Sequence, residues 1–537
     1  MSARLPWCLS ICLAFGLADS GHSSPLQASL PPSVALESGT VVGEHFGSAP
    51  NAAAFLGVPY AAPPVGELRW KPPQPVSRWS GARDATHFGA SCPQLPAGWL
   101  PTLGWDEDCL FLNVWTPVLR QSGRLPVIVF LHGGGNRAGR SQHIPLGPAL
   151  APLGVVVVSA NYRLGPFGFL AHPALTGESL HHSSGNYGLL DQLAALSWVH
   201  ENISRFGGDP DQITVMGHSA GAVDICLLMA SPLAAGLFQR AILESGDCQS
   251  TLNEDIHHPL AYNSIVGTGE ASGESLMADL AIPDGPDALS RLRNVPAQAI
   301  MKAFSSDRQM HFDAIVDGWV VPEQPATIFS EGRQLHIPVL VGSTANEATV
   351  FAAHGGPRTI SEYRNYLFLD AGKYALDEFE AYPATSDAEV PAQYLRLQND
   401  VFGYGARSMA RAMTRVGQKA FLYLFSFGGT GKWEGLGAFH GEELMFLSGS
   451  FPPDWEYTQD ESVFGATMRA YWTQFAKTGN PSAPSLPPWP AYRMHDDQCL
   501  ELGRTVHTRS VGPQIRRLED IMRRVLVGTA NAQSSSN

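Results

Sequence analysis

Positive charge is scarce in this sequence. Its 35 Lys and Arg stand against 49 Asp and Glu, a formal net charge of -14, which argues against nucleic acid or an anionic membrane surface as a main partner. Charge of either sign is also sparse, at 16% of 537 residues, while 44% are hydrophobic. That is enough for a large core and too apolar for global disorder. No internal repeat, low-complexity tract or linker divides the chain. A single domain is therefore expected over residues 21–530, with a disordered tail at 531–537. Long hydrophobic runs are missing too. The apolar stretch near the start, Leu5–Ala18, has 14 residues, too short for a membrane span. Arg4 before it and the small residues Gly16, Ala18 and Ser20 give residues 1–20 the pattern of a signal peptide. Export from the cell, or into a periplasm, is the expectation. The C-terminus carries no ER-retention tetrapeptide and no lipid-anchor tail, and no transmembrane anchor is expected.

Cysteine is sparse as well. Cys8 and Cys12 fall in the leader, which leaves Cys92, Cys109, Cys226, Cys248 and Cys499. An odd number leaves at least one free thiol. Cys226 lies in an apolar helical run and reads as a core thiol rather than a redox centre. Histidine is plentiful, at 18, but His181-His182 and His257-His258 lack companion ligands at zinc spacing. No metal and no cofactor is expected. Asn202-Ile203-Ser204 is an N-glycosylation sequon if the source is eukaryotic.

What is present is alternation. Val34–Glu37 and Gly39–Gly43 read as a hairpin, and Phe55–Tyr60, Leu110–Trp115, Val127–Leu131, Val155–Ala160, Ile213–Met216, Arg240–Glu244, Pro338–Val341 and Phe421–Phe427 as strands. Leu189–Arg205, Thr467–Lys477 and Ile515–Val527 have helical spacing. Leu252–Gln334 and Ser361–Gln418 read as mostly helical. The pattern predicts an α/β fold, an open and largely parallel sheet with helices on both faces. Sites in such sheets lie beyond the carboxyl ends of the strands.

At one such end stands Gly217-His218-Ser219-Ala220-Gly221, between the apolar run Ile213–Met216 and the helical run Ala222–Met229. Strand, sharp turn and helix with a serine at the apex form the nucleophile elbow of α/β-hydrolases. In a chain with 54 glycines the pentapeptide alone is weak, so its partners decide. A serine hydroxyl needs a base, a group to orient that base, and donors where an oxyanion forms. His132-Gly133-Gly134-Gly135 directly follows a strand, and glycine runs let backbone N–H groups face a site. The N–H of Ala220 would be a further donor. Phosphate cradling would want a lysine at the helix start, and none is there. Beyond Pro338–Gly342 the only carboxylate in Ser343–Glu347 is Glu347, against the alternative of a solvated surface acid. His440 is the only histidine between His354 and His495 and is flanked by glycines, against the alternative of a surface loop residue.

Longer motifs then accumulate: Phe55–Gly66, Glu107–Val114, Asn161–Leu170, Gly185–Gln192 and Phe206–Pro210, in that order. From about Gly39 to about Leu502 the chain resembles the type-B carboxylesterase and cholinesterase family. The resemblance implies the α/β-hydrolase fold and a secreted serine carboxylesterase acting on small-molecule esters through an acyl-enzyme. It implies the triad Ser219, Glu347 and His440, with oxyanion donors at Gly134, Gly135 and Ala220. It further implies a Cys92–Cys109 disulfide and structural ion pairs of Arg69 with Glu107 and of Arg163 with Asp191. Ser245 is expected to hydrogen-bond within the triad. Adhesion and hormone-precursor relatives have lost the triad and bind partners; retention of all three residues and the glycine loop argues against that reading here.

Two departures bear on substrate. The residue before the nucleophile is commonly Glu in this family and is His218 here. An imidazole cannot supply the carboxylate that holds a quaternary ammonium. Trp99 reads as lining an apolar gorge or packing a loop rather than stacking on a cation. Cholinesterase or lipase activity is therefore a lesser alternative. Around the acid, Asn346-Glu347-Ala348 stands where Asp-Glu-Gly is frequent, which keeps Glu347 and alters its loop. The particular ester and the oligomeric state are not legible in the sequence.

Overall fold

The computed structural model describes residues 30–534 apart from positions 48, 50, 98–103, 120–123, 250–267, 307–311 and 352–354. The leader expected at residues 1–20, Trp99 and the His257-His258 pair lie outside the described residues. The chain divides into a short N-terminal unit, Met1–Pro31, and a main unit, Pro32–Asn537, to which all elements below belong.

In chain order the strands are β1 Ser33–Ala35, β2 Thr40–Val42, β3 Glu44–His45, β4 Ala53–Pro59, β5 Ala82–Asp84, β6 Phe111–Thr116, β7 Leu125–Leu131, β8 Val156–Ala160, β9 Gly208–His218, β10 Arg240–Glu244, β11 Val339–Thr344, β12 Ala420–Phe425, β13 Gln498–Leu502 and β14 Val506–Ser510. A small sheet has the order β1-β2-β5, and β1 and β2 form the expected antiparallel pair. The other eleven strands form one sheet, β14-β13-β12-β11-β10-β9-β7-β8-β6-β4-β3. From β13 to β8 every neighbouring pair runs parallel. Antiparallel strands flank this centre, β14 on one side and β6, β4 and β3 on the other.

The central strands are apolar on both faces because both are covered. Val127, Val129, Leu131, Val156, Val158, Ile213, Val215, Ala241 and Leu243 face one core, and Ile128, Phe130, Val155, Val157, Met216, Ile242 and Leu340 the other. The period of two along each strand sends successive side chains to opposite layers. The first layer holds helices α1 Tyr187–Asn202, α2 Ala220–Ala230 and the C-terminal part of α3 Val390–Arg415; the second holds α4 Glu442–Ser448 and α5 Gln459–Thr478. Thr458 and Glu461 close a capping box that starts α5, and its buried stripe Phe464, Met468, Tyr471, Trp472 and Phe475 has helical spacing. Among the described residues no helix is long and apolar enough to cross a membrane.

Three expectations need correction. Cys226 is not a free core thiol. It is bonded to Cys248, which the turn after β10 brings back over α2, a proximity that 22 residues of separation do not reveal. Cys499 is the free, buried cysteine. Strands β13 and β14 have no counterpart in the sequence reading. In β14 His507, Thr508, Arg509 and Ser510 are exposed and polar, as suits a sheet edge, and they give no apolar signal. The last helix, α6, runs Pro513–Ser534 rather than stopping at Val527. The described part of 252–334 is helical over Gly269–Asp279, Ala288–Arg293, Ala297–Ser306 and Pro325–Ser330.

Candidate active site

Strand β9 ends at His218 and α2 begins at Ala220, so Ser219 is the whole of the turn between them. It has φ 55° and ψ -125°, a conformation that side chains rarely adopt. The surrounding structure holds it there. The Ser219 N–H donates to the Glu244 carbonyl at the end of β10, at 2.8 Å. The flanking glycines are needed for close approach. A Cβ on Gly221 would stand 2.3 Å from the Leu131 carbonyl oxygen, and one on Gly217 would stand 2.5 Å from that of Gly221.

Two loops from neighbouring strands meet beside this turn. Glu347 follows β11 and His440 follows β12; Asn346 and Phe439 join the loops in an isolated parallel bridge. The Asn346 N–H donates to the Ala438 carbonyl at 2.9 Å, and the Asn346 side chain accepts from the Ala438 N–H at 3.0 Å. With those loops stitched, His440 Nδ1 lies 2.5 Å from Glu347 Oε2, while Glu347 Oε1 accepts from the Thr344 N–H at 2.7 Å. Glu347 is fully buried. His440 is tied to the serine turn through His218, whose ring lies 4.5 Å from its own.

The glycine loop lies over the same turn. A Cβ on Gly133 would stand 2.7 Å from the His218 carbonyl oxygen and 3.0 Å from Ser219 Cβ. The loop is fastened at both ends. The Tyr162 hydroxyl donates to the His132 carbonyl at 2.7 Å, and the Gln94 amide both donates to and accepts from the Gly139 backbone. Gln94 in turn sits in the loop closed by the Cys92–Cys109 disulfide, which is present. Among the described residues the N–H groups of Gly134, Gly135 and Ala220 have no acceptor.

Behind His440 lies a set of buried acids that the sequence reading missed. Glu244 and Glu443 are fully buried, and burial raises both carboxyls well above the usual range. Glu244 accepts from Trp472 Nε1 at 2.9 Å. Glu443 Oε1 lies 3.7 Å from His218 Nε2. Burial, and then the neighbouring His440, depress the His218 imidazole well below its ordinary value, so this ring is neutral. Ser245, at φ 55°, is aimed at this group rather than at the expected triad. Its hydroxyl donates to Glu443 Oε1 at 3.5 Å. The only signal in the sequence was two acids in a row after His440, and nothing there tells which way they point.

The remaining candidates fall away from the site. Arg163 and Asp191 form a buried bidentate pair at 2.7 Å. Arg69 pairs with Glu107 and also caps the carbonyls of Arg293 and Val295. Asn202 ends α1 with 8% exposure, its amide nitrogen donating to the Trp198 carbonyl at 3.0 Å.

Against known proteins, a profile of the carboxylesterase family matches residues 30–518. The chain belongs to the carboxylesterase family. Fumonisin B1 esterase of Sphingopyxis macrogoltabida is 39% identical over 460 residues, 82% of this chain and 81% of that protein. Para-nitrobenzyl esterase of Bacillus subtilis is 35% identical over 474 residues, 83% and 90% of the two chains. Among solved structures a PNB esterase superposes with a TM-score of 0.78 at 32% identity, over 91% of this chain and all of its own. A carboxylesterase of Geobacillus stearothermophilus gives 0.77 at 30% identity, over 90% and 98%. This carboxylesterase therefore has the α/β-hydrolase fold and is a serine hydrolase acting on carboxylic esters.

Proposed function

We propose that this carboxylesterase is an exported enzyme that hydrolyses uncharged carboxylic esters through an acyl-enzyme on Ser219. The observation that carries the reading is the buried 2.5 Å contact of His440 Nδ1 with Glu347, set beside a serine held at positive φ. Ser219 Oγ attacks the ester carbonyl while His440 Nε2 takes its proton. Glu347 fixes the tautomer with the proton on Nδ1 and stabilises the imidazolium that forms. The tetrahedral oxyanion is met by the N–H groups of Gly134, Gly135 and Ala220, which have no acceptor among the described residues. His440 then protonates the departing alcohol, and water, activated by the same imidazole, releases the acid and restores the serine.

The preference for uncharged esters follows from His218. A neutral imidazole offers no charge to a quaternary ammonium, and burial raises the Glu443 carboxyl behind it, which disfavours a negative charge there. Relatives named for fumonisin B1 and for para-nitrobenzyl esters support a range of ester alcohols. Two disulfides and the apolar leader support export. The test is hydrolysis of p-nitrophenyl acetate by the purified chain and by Ser219→Ala. Wild-type turnover that the substitution removes is expected; equal turnover in the two proteins would sink the assignment. In an ester panel, choline esters are expected to be the poor substrates.

A further inference from the structure

We propose that Asn136 is a positioning residue whose side chain clamps the Gly133–Gly135 loop to helix α2, fixing where the loop's N–H groups point. The inference rests on the proposed role of that loop as oxyanion donor. Asn136 follows the glycines directly, has φ 52° and is 1% exposed. Its Nδ2 donates to Asp224 Oδ1 at 2.9 Å and to Asp313 Oδ1 at 2.8 Å. Asp224 lies on α2, the helix that starts one residue after Ser219, and its other oxygen accepts from Gln192 Nε2 of α1 at 2.5 Å. One amide thus joins the loop that carries Gly134 and Gly135 to the helix that begins directly after the nucleophile.

The rest of the loop's fixings make this clamp consequential. His132 is held from Tyr162 and Gly139 from Gln94, but these are the two ends. Between them, among the described residues, the loop backbone has the His132 Nδ1 contact with the Gly133 carbonyl at 2.9 Å, the local turn bonds of Arg137 and Ala138 to the Gly134 carbonyl and one bond from the Gly165 N–H to the Asn136 carbonyl. Among the described residues Asn136 Oδ1 and Gln192 Oε1 are buried with no hydrogen-bond partner, and each amide is tethered there through its nitrogen. An amide is the group suited to lie between two aspartates, because it donates two hydrogens and brings no charge of its own. Burial pushes the Asp224 carboxyl up to about 7, against the pull of the Asn136 and Gln192 amides and with a small push from Asp313.

Two variants and two readouts test the clamp. Asn136→Gly keeps the left-handed backbone and deletes the tether. Removing one oxyanion donor outright lowers kcat by about 10²–10³; a loop that keeps its donors but is loosely aimed is expected to lose about tenfold or more in kcat, with KM changed less than about threefold. Asp224→Ala leaves the loop sequence intact and favours the helix, so any change in the loop reports the lost tether. Amide hydrogen exchange over Gly133–Ala138 is expected to speed up in Asp224→Ala, and Asp224→Asn, which retains an acceptor for Asn136, is expected to restore protection. Unchanged exchange in Asp224→Ala, or a loss in Asp224→Asn as large as in Asp224→Ala, would overturn the clamp whatever the turnover. Faster exchange in a wild-type background that shows no esterase activity would keep the clamp and sink the oxyanion reading instead.

Discussion

Glu347 has two oxygens and two donors facing it. Thr344 N–H takes Oε1 and His440 Nδ1 takes Oε2, in a site with no exposure to solvent. A carboxylate satisfies both; an amide satisfies only one, because its NH₂ must face a donor on one side. Glu347→Gln is therefore expected either to turn the His440 tautomer or to break the Thr344 bond. The predicted outcome is a fall in kcat of about 10²–10⁴, the scale seen when an orienting carboxylate becomes an amide, with KM within a few-fold in steady-state assays. Retention of more than a tenth of wild-type kcat would contradict this role. Gly133 carries a second prediction at the same scale. A Cβ built on it would stand 2.7 Å from the His218 carbonyl oxygen and 3.0 Å from Ser219 Cβ. In Gly133→Ala the loop must lift away from the His218 carbonyl, and kcat is expected to fall by two orders of magnitude or more.

The elements that carry these residues were legible to very different degrees. The central strands announced themselves as short apolar runs because both faces of the sheet are covered, and each run ended at a motif. Ser219 and Glu347 could be picked out as candidates because each sits directly beyond a strand, and His440 because it is the only histidine between His354 and His495 and is flanked by glycines. Invisible were links between residues far apart in the chain, such as Asn136 with Asp224, separated by 88 positions. The polar edge strand β14 was lost because it buries almost nothing. The Cys226–Cys248 bond belongs to the same class, since a cysteine in an apolar helix looks like packing until the fold returns the chain to it. That bond ties α2 to the segment after β10, and both elements frame Ser219. Closing a 22-residue separation is worth about 2–4 kcal/mol in the chain-entropy account. Cys226→Ala with Cys248→Ala is thus expected to lower the urea-unfolding free energy by that amount. An unchanged midpoint would show that the bond is not formed in the folded protein.

At the scale of the whole molecule the buried titratable groups set how stability depends on pH. Burial holds Asp224 up to about 7 and Glu442 up to about 8, and raises Glu244 and Glu443 as well. In the unfolded chain these carboxyls ionise near 4. Between those values the folded chain binds more protons than the unfolded one, so their contribution is lost as pH rises through about 4 to 8. Buried histidines act in the opposite sense. Burial lowers His132 and His143 to about 4 and lowers His218 too, so the unfolded chain binds more protons up to about 6.5 and their contribution grows with pH over that lower range. Below about 6.5 the two sets oppose each other; above it the histidine slope fades within about one unit while that of the carboxyls persists to about 8. The thermal midpoint is therefore expected to be lower at pH 8.5 than at pH 6.5 at constant ionic strength. Glu442 offers the control. It is fully buried, and one of its oxygens accepts from the Phe439 N–H at 3.1 Å, a bond that the oxygen of a glutamine can keep. Glu442→Gln should reduce the drop between the two pH values. A midpoint that rises from pH 6.5 to 8.5, or a drop undiminished in Glu442→Gln, would mean that these carboxyls are ionised in the folded protein and that the charge behind His440 is negative rather than neutral.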